Sequence, residues 1–278
     1  MTAPGPIEPT TTTTIAGLYA ETFRPEATPR GSVVITHGYS EHCGRYREVA
    51  NVIVRAGWAV LSYDVRGHGR SPGPRGYVDR FKTYVDDLTA MRAAARPLAP
   101  EGAPVVLVGH SHGALITLRA IVDEQPCAAK AVVLASPYLA LKLQVPSYKK
   151  VAARLASKIA PRFAQNNQLI VEDLTADRQK QAERLADPLC FKVATARWFT
   201  EATEAQQYVT THAHRIDVPT VWLVGGADPI ADPEQSRRVA STVRGASYHD
   251  LVGLKHEVFN ELERGKVFLE LTRALANA

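Results

Sequence analysis

The sequence predicts an α/β protein with a mostly parallel central sheet, helices on both faces and a helical insertion. Three observations carry that prediction. Four short runs, "SVVITHG", "WAVLSYD", "PVVLVGH" and "KAVVLAS", are nearly all apolar, rich in β-branched residues and each followed by turn or helix-start signals. Such runs suit strands buried on both faces, as in a parallel sheet. Helical patterns alternate with them over residues 45–56, 81–96 and 111–123. This β-α-β-α order implies a doubly wound sheet with right-handed crossovers and a ligand site at the carboxyl ends of the strands. The rhythm then stops over residues 137–210, which read as helical or irregular. Strand signals return in "VPTVWLVGG" and "ASYHDLVG", and a last helix is expected over residues 257–276. The economical division is a core of residues 1–136 and 211–278 carrying a helical cap of residues 137–210.

A chain of 278 residues with 45% hydrophobic content can bury a large core. Cys43, Cys127 and Cys190 are odd in number, far apart and outside any C-x-x-C pattern. They indicate neither a disulfide framework nor a zinc site, and a reducing compartment is the simpler inference. The opening "MTAPGPIEPTTTTTIAG" has no basic n-region and no apolar run, and no membrane-length apolar run occurs elsewhere. A soluble, cytoplasmic protein is expected. The balance of 33 basic and 28 acidic residues, spread along the chain, is a mild excess. Without a glycine-rich phosphate motif, an RNA-binding aromatic motif or a repeat, it speaks against a nucleic-acid partner.

Within the insertion, Val151, Leu155, Ile159 and Phe163 recur every fourth residue and would form one apolar stripe on a helix. Lys150, Arg154 and Lys158 repeat beside it, and no acidic residue occurs from Leu141 to Phe163. Two readings fit: a cap helix packed on its own domain with a solvated basic face, and transient contact with a membrane surface or anionic headgroup.

The chemistry centres on "GHSHG", Gly109 to Gly113, which matches G-x-S-x-G between a strand and a helix. That context is a nucleophile elbow, with the serine on a strained turn and the glycines allowing close backbone approach. Ser111 needs a base, and a third group to orient that base. The flanking His110 and His112 are poorly placed to serve, because sequence neighbours in such a turn point to different sides. His212 and His214 resemble exposed linker residues, and His249 would project from a strand. His256, in the loop "GLKHEVFNE" after the last strand, is the best base, with His249 second. Asp228 follows a strand and is the orienting acid, whereas Asp232, before Pro233, reads as a helix N-cap. The order Ser111, Asp228, His256 is the one expected of an α/β-hydrolase.

Further motifs carry a resemblance to a known family. "HGYSEHCGRY" resembles an HG-x-x-EH-x-x-RY signature, and "YDVRGHGRSPGPRGYVDRF" a D-x-RGHG-x-S-x-G-x-RG segment. "ADPLCFK" is similar to a DPL stretch and "GLKHEVFNE" to a catalytic-histidine loop. Together they resemble the monoacylglycerol lipase and lysophospholipase branch of the α/β-hydrolases, from about Ile35 to Asn260. The resemblance implies that backbone N–H groups of Tyr39 and His112 form an oxyanion hole for the charge that develops when Ser111 attacks an ester. It implies that Glu41 and Arg45 line or support the polar end of the acyl site. Spaced four apart, they also fit an ordinary ion pair. His68 carries over as a loop-ordering residue. Two departures bear on substrate choice: His112 and Ala114 stand where the family commonly has methionine and glycine, and Tyr39 where it often has a small residue or leucine.

The activity so implied is hydrolysis of a single-chain lipid ester through an acyl-enzyme, with no metal or organic cofactor. A short-chain carboxylesterase, thioesterase or amidase would use the same residues. A metal protein with ligands among His110, His112, His37 and His42, and a binding module that has kept a hydrolase fold, are the rival classes.

Overall fold

The apolar runs of the sequence become the parallel strands of one sheet in a computed structural model that describes residues 4–124, 126–143 and 147–278. The chain opens with an antiparallel hairpin of β1 (Thr11–Ile15) and β2 (Leu18–Phe23). There follow β3 (Ser32–Thr36), α1 (Arg47–Arg55), β4 (Ala59–Tyr63), α2 (Lys82–Ala95), β5 (Val105–His110), α3 (His112–Asp123) and β6 (Ala131–Ala135). The segment between β6 and the next sheet strand holds α4 (Ser147–Ile159), β7 (Ala164–Asn166), α5 (Val171–Leu174), α6 (Arg178–Ala186), β8 (Val193–Thr195) and α7 (Ala196–His212). The sheet resumes with β9 (Thr220–Gly225), followed by α8 (Pro233–Ala240), β10 (Ala246–Leu251) and α9 (Arg264–Ala276).

Among the described residues the sheet has eight strands in the order β1-β2-β4-β3-β5-β6-β9-β10. From β4 to β10 every neighbouring pair is parallel, while β2 meets β4 antiparallel. From β3 the chain passes to β4 on one side and later to β5 on the other. The crevice at this switch, outside the strands' carboxyl ends, is where such sheets present ligand-binding loops.

Side chains alternate between the two faces with period two. Val34, Leu61, Leu107, Leu134 and Trp222 join α2, α3 and α7 in one core. Val33, Ile35, Val60, Val106, Val108 and Val133 join α1 and α9 in the other. These strands are apolar at successive positions because both faces are covered. The contact between α3 and β3 is especially close: a Cβ on Gly113 would lie 2.1 Å from the carbonyl oxygen of Thr36 and 2.4 Å from that of His37.

Three features differ from the sequence reading. The threonine-rich start contributes the edge hairpin β1–β2, and the insertion contains the short antiparallel pair β7–β8. The helix expected over residues 257–276 is split into a 3-10 turn, Val258–Asn260, and α9. The split has a physical cause. The Asn260 carbonyl accepts the Thr175 hydroxyl at 2.9 Å, and the Glu261 carboxylate accepts the N–H groups of Lys255 and Ala176 at 2.9 and 3.1 Å. Those bonds divert the chain from a continuous helix.

The helix α4 forms, but the stripe of Val151, Leu155, Ile159 and Phe163 faces outward, with Ile159 75% exposed. Ala153, Ala156 and Ser157 form the inward side instead. The helix does pack on its own domain, against α7, and its basic face is solvated. It does so through these small residues, so the expectation that this contact is made by the apolar stripe is corrected. Arg154 and Lys158 are exposed beside it, and the Lys150 side chain lies outside the described residues. Among the described residues no helix is long and apolar enough to cross a membrane.

Gly113→Ala is expected to cost about 1–3 kcal/mol or more, because two backbone carbonyls of β3 and its following loop must yield. Equilibrium denaturation in urea measures it, and a loss within error of zero would contradict the close approach of α3 to β3.

Candidate active site

Parallel strands all end on the same side of a sheet, so the loops after β3, β5, β9 and β10 meet there. Ser111 occupies the turn from β5 into α3 at φ 50° and ψ −113°. Its N–H donates to the Ala135 carbonyl, and its own carbonyl accepts the N–H groups of Leu115 and Tyr138. Asp228 follows β9, and His256 lies in the loop after β10.

These three sequence-predicted residues come together. The Ser111 hydroxyl lies 2.8 Å from His256 Nε2, and His256 Nδ1 lies 2.7 Å from Asp228 Oδ2. With Nδ1–H donated to the carboxylate, Nε2 is left free to accept from the serine. The other Asp228 oxygen accepts the N–H groups of Ile230 and Ala231 at 2.8 and 3.0 Å, which fixes the carboxylate. Burial alone would lower the His256 pKa, but the charge and hydrogen bond of Asp228 outweigh it and raise the pKa above the ordinary imidazole value.

The second-choice residues lie elsewhere. His249 sits on β10 beside Ser247 and Glu270, and Asp232 caps α8 by accepting the Glu234 N–H. His212 stacks on Tyr208, and His214 is exposed.

Tyr39 lies in the loop after β3. Its phenol donates to the Val193 carbonyl at 2.8 Å, and its ring stacks on Trp198 with centroids 3.8 Å apart. His112 begins α3, where the first backbone N–H groups have no intrahelical partner. Its imidazole is fully buried, and neither ring nitrogen has a hydrogen-bond partner. Tyr39, Phe81, Tyr84 and Trp198 meet it edge-on, and His68 stacks beside it. Burial lowers the His112 pKa to about 3. His68, whose Nδ1 donates to the Arg66 carbonyl, is also depressed by burial, as is His37.

Glu41 and Arg45 form a buried ion pair at 3.0 Å. The carboxylate of Glu41 also accepts the Gly38 N–H and the Tyr46 hydroxyl, each at 2.7 Å. Burial would raise the Glu41 pKa, but His110, Arg45 and Arg184 hold it well below the usual range. Arg45 reaches on to Glu257 at 2.7 Å, and His110 Nε2 donates to the His256 carbonyl at 3.2 Å. His110 thus lies beneath the histidine loop rather than beside the serine hydroxyl. Sequence reasoning missed Glu257 and Arg184, which complete this network. The acidic residue next to His256 was a readable signal, but nothing local marks Arg184.

The nitrogens of the rival metal set are largely committed. His37 Nδ1 donates to the Gly38 carbonyl, and its Nε2 accepts the Val65 N–H. Among the described residues, His42, Asp187 and Cys190 bring their ligand atoms within 4.8 Å of one another. His42 Nδ1 accepts the Gly44 N–H, so its Nε2 carries the proton that it gives to Asp187 at 2.6 Å. That tautomer leaves the ring no lone pair for an ion.

The strand order and the residues at its carboxyl edge are those of the α/β-hydrolase class. A family model described as Hydrolase_4, "Serine aminopeptidase, S33", matches residues 27–263. The chain is similar to a monoacylglycerol lipase of Mycolicibacterium smegmatis, 31% identical over 255 residues and covering 91% of this chain and 90% of the relative. It is also similar to phospholipase YtpA of Bacillus subtilis, 29% identical over 244 residues, covering 86% and 93%. The solved structure of a Paleococcus ferrophilus monoacylglycerol lipase superposes with a TM-score of 0.82 at 29% identity, covering 94% and 97%. The chain belongs to the Hydrolase_4 family and is a monoacylglycerol lipase-like carboxylic ester hydrolase.

His112→Met should raise stability near neutral pH by about 1 kcal/mol, because two unpartnered buried nitrogens disappear. The unfolded chain protonates His112 near pH 6.5 while the folded chain resists until about pH 3. In that window the unfolded state binds more protons, so wild-type stability falls as pH falls, and the variant should lack up to about 1.4 kcal/mol of that decline per pH unit. Denaturation midpoints between pH 7 and 4 check it; parallel curves for the two proteins would refute the assignment.

Proposed function

We propose that this protein hydrolyses monoacylglycerols and similar single-chain lipid esters, with Ser111 as nucleophile, His256 as general base and acid, and Asp228 as the group that orients the imidazole. The observation that carries this reading is the unbroken string from Ser111 Oγ to His256 Nε2 at 2.8 Å and from His256 Nδ1 to Asp228 at 2.7 Å.

Ser111 Oγ bonds to the ester carbonyl carbon as its proton passes to His256 Nε2. The oxyanion so formed meets the backbone N–H groups of Tyr39 and His112, and Asp228 stabilises the imidazolium. The ester C–O bond then breaks, and His256 gives its proton to the departing alcohol. Water next adds to the acyl-enzyme with His256 again as base. The fatty acid leaves, and the proton returns to Ser111. No metal or organic cofactor enters these steps. Glu41 and Arg45 act in this scheme by bracing the loops of Tyr39 and His256, since their charged atoms are taken up by each other and by Glu257.

The monoacylglycerol lipases among the relatives support the substrate class, and a relative named a phospholipase is in keeping with including lysophospholipids in this reading. In this reading residues 1–136 and 211–278 form the catalytic core and residues 137–210 its cap. The outward apolar stripe of α4, flanked by Arg154 and Lys158, dips into the headgroup layer where such substrates reside. The enzyme works from the cytoplasm as a peripheral visitor to that surface, a setting that suits its three free cysteines.

Ser111→Ala should lower kcat for a p-nitrophenyl ester by on the order of 10³-fold or more and abolish labelling by a fluorophosphonate. Asp228→Asn should lower kcat by on the order of 10³–10⁴ and move the acid limb of kcat/KM to lower pH, since the charge that raises the His256 pKa is gone. Undiminished hydrolysis by the serine variant would end the proposal.

Leu155→Ser together with Ile159→Ser should weaken binding to phosphatidylglycerol-containing vesicles and slow hydrolysis of monoacylglycerol presented in them. The rate on a soluble short-chain ester should be unchanged. Equal vesicle binding by wild type and variant in a flotation assay would remove the membrane role of α4.

A further inference from the structure

Residues 172–177 of the inserted segment run beside the loop of His256 and the start of α9. Lys255 Nζ donates to the Glu172 carbonyl at 2.6 Å and the Glu257 N–H to the Leu174 carbonyl at 2.7 Å. Thr175 donates to the Asn260 carbonyl, and the Ala176 N–H donates to Glu261. Arg264 binds Asp177 at 3.2 Å. Beyond this seam Arg184, near the end of α6, turns inward and is buried.

The Arg184 guanidinium meets both loops that flank the reacting atoms. Nη1 donates to Glu257 Oε1 at 3.0 Å, beside His256 in the chain. Nη2 donates to the Ser40 hydroxyl at 2.8 Å and its carbonyl at 3.4 Å, beside Tyr39 in the chain. Ser40 sits at φ 59°, a left-handed conformation that an L-residue keeps only under constraint. Arg45 spans Glu41 and Glu257 on the other side, so two guanidiniums and two carboxylates are gathered in one buried cluster. A cluster of this kind is intolerant of losing one member, because the remaining charge is left buried without its partner.

We propose that Arg184 is a positioning residue that ties the inserted segment to the active site, holding the Tyr39 backbone N–H and the His256 imidazole in register with Ser111. The inference rests on the reading of Ser111, Asp228 and His256 as the reacting groups. Arg184 touches no reacting atom; it acts through Glu257 and Ser40, each one residue away from a group that does. Its planar fork reaches two loops at once, which a lysine ammonium cannot reproduce in geometry. The Glu257 carboxyl is held below the usual range by Arg45 and Arg184 against its burial, in keeping with a carboxylate that stays ionised as a fixed anchor. Displacing base and oxyanion donors by even about 1 Å is enough to cost on the order of 10²-fold in rate.

The test compares wild type, Arg184→Lys, Arg184→Ala and Ser111→Ala on a soluble p-nitrophenyl ester, with thermal melts to verify folding. Arg178→Ala, on the exposed side of α6, is the control and should behave as wild type. Arg184→Ala should lose 10- to 100-fold in kcat with KM within threefold. Guanidinium chloride at tens of millimolar should restore at least threefold of the lost rate to Arg184→Ala and none to Ser111→Ala. Arg184→Lys, which keeps the charge and is the variant to rely on if Arg184→Ala fails to fold, should lose at least fivefold in kcat. Wild-type kcat in either folded Arg184 variant, or a loss that appears in KM alone, would overturn the positioning role. If Ser111→Ala keeps its activity, the underlying triad fails. If Ser111→Ala is dead and Arg184→Lys is fully active, only this inference fails.

Discussion

Ser111 is held at φ 50° and ψ −113°, a backbone state that costs an L-residue on the order of 1–3 kcal/mol. It persists because the turn is bonded on both sides, to Ala135 from its N–H and to Leu115 and Tyr138 from its carbonyl. Gly113 allows α3 to press against the end of β3 where any Cβ would strike the Thr36 carbonyl. The strain lifts the hydroxyl out of the sheet toward the crevice between β3 and β5. Every other group in the site is placed with respect to that point. Asp228 and His256 reach it because β9 and β10 run parallel to β5 and end on the same side.

Around this turn the protein treats its histidines in opposite ways. His256 is buried against Asp228 and has a raised pKa, so burial is overruled by a partner of opposite charge. His112, one residue from the same serine, is buried among aromatic rings with no carboxylate, and its pKa is lowered to about 3. Such divergence is how an enclosed site separates the group that must carry a proton from those that must stay neutral. His37 and His68 fall on the neutral side too, with pKa values depressed by burial. A protonated imidazole at position 112 would repel the imidazolium that the proposed mechanism forms at His256. The neutral ring avoids that cost while its backbone N–H stays available to an oxyanion.

Much of this was legible because it is local. The strands from β3 to β6 are short apolar runs, and the elbow is a strand, a pentapeptide and a helix in sequence. Asp228 and His256 each follow a strand, so chain order and the parallel sheet together predict that they converge. The edge hairpin β1–β2 was not legible, since Thr11 to Thr14 are exposed on an edge strand and carry no hydrophobic alternation. The split before α9 depends on Thr175 and Ala176, more than eighty residues away in the chain. Arg184 sits in a polar helix whose neighbours are exposed, and only the tertiary fold turns that one side chain inward. The stripe of α4 was legible as a stripe but not as to which way it faces. Periodicity reports a face, and the packing partner decides whether that face is covered.

Two parts of the insertion therefore differ in their physics. From Val171 to Ala186 it is sewn to the histidine loop by backbone bonds and a buried ionic cluster, so its place is set by the same contacts that set the active site. The α4 stretch packs on small residues, leaves its large apolar side chains in solvent and carries cations beside them. An exposed apolar stripe is unfavourable in water by roughly 25 cal/mol for each Å² that a lipid phase would cover. The part that would gain from a lipid surface is thus one helix removed from the site, since α4 rests on α7 and Trp198 of α7 stacks on Tyr39, and the part bonded to the histidine loop presents no such stripe. Under the proposed membrane role, contact at α4 reaches the site by way of α7, whose Trp198 stacks on Tyr39, whereas the Arg184 side of the insertion bonds directly to Ser40 and Glu257.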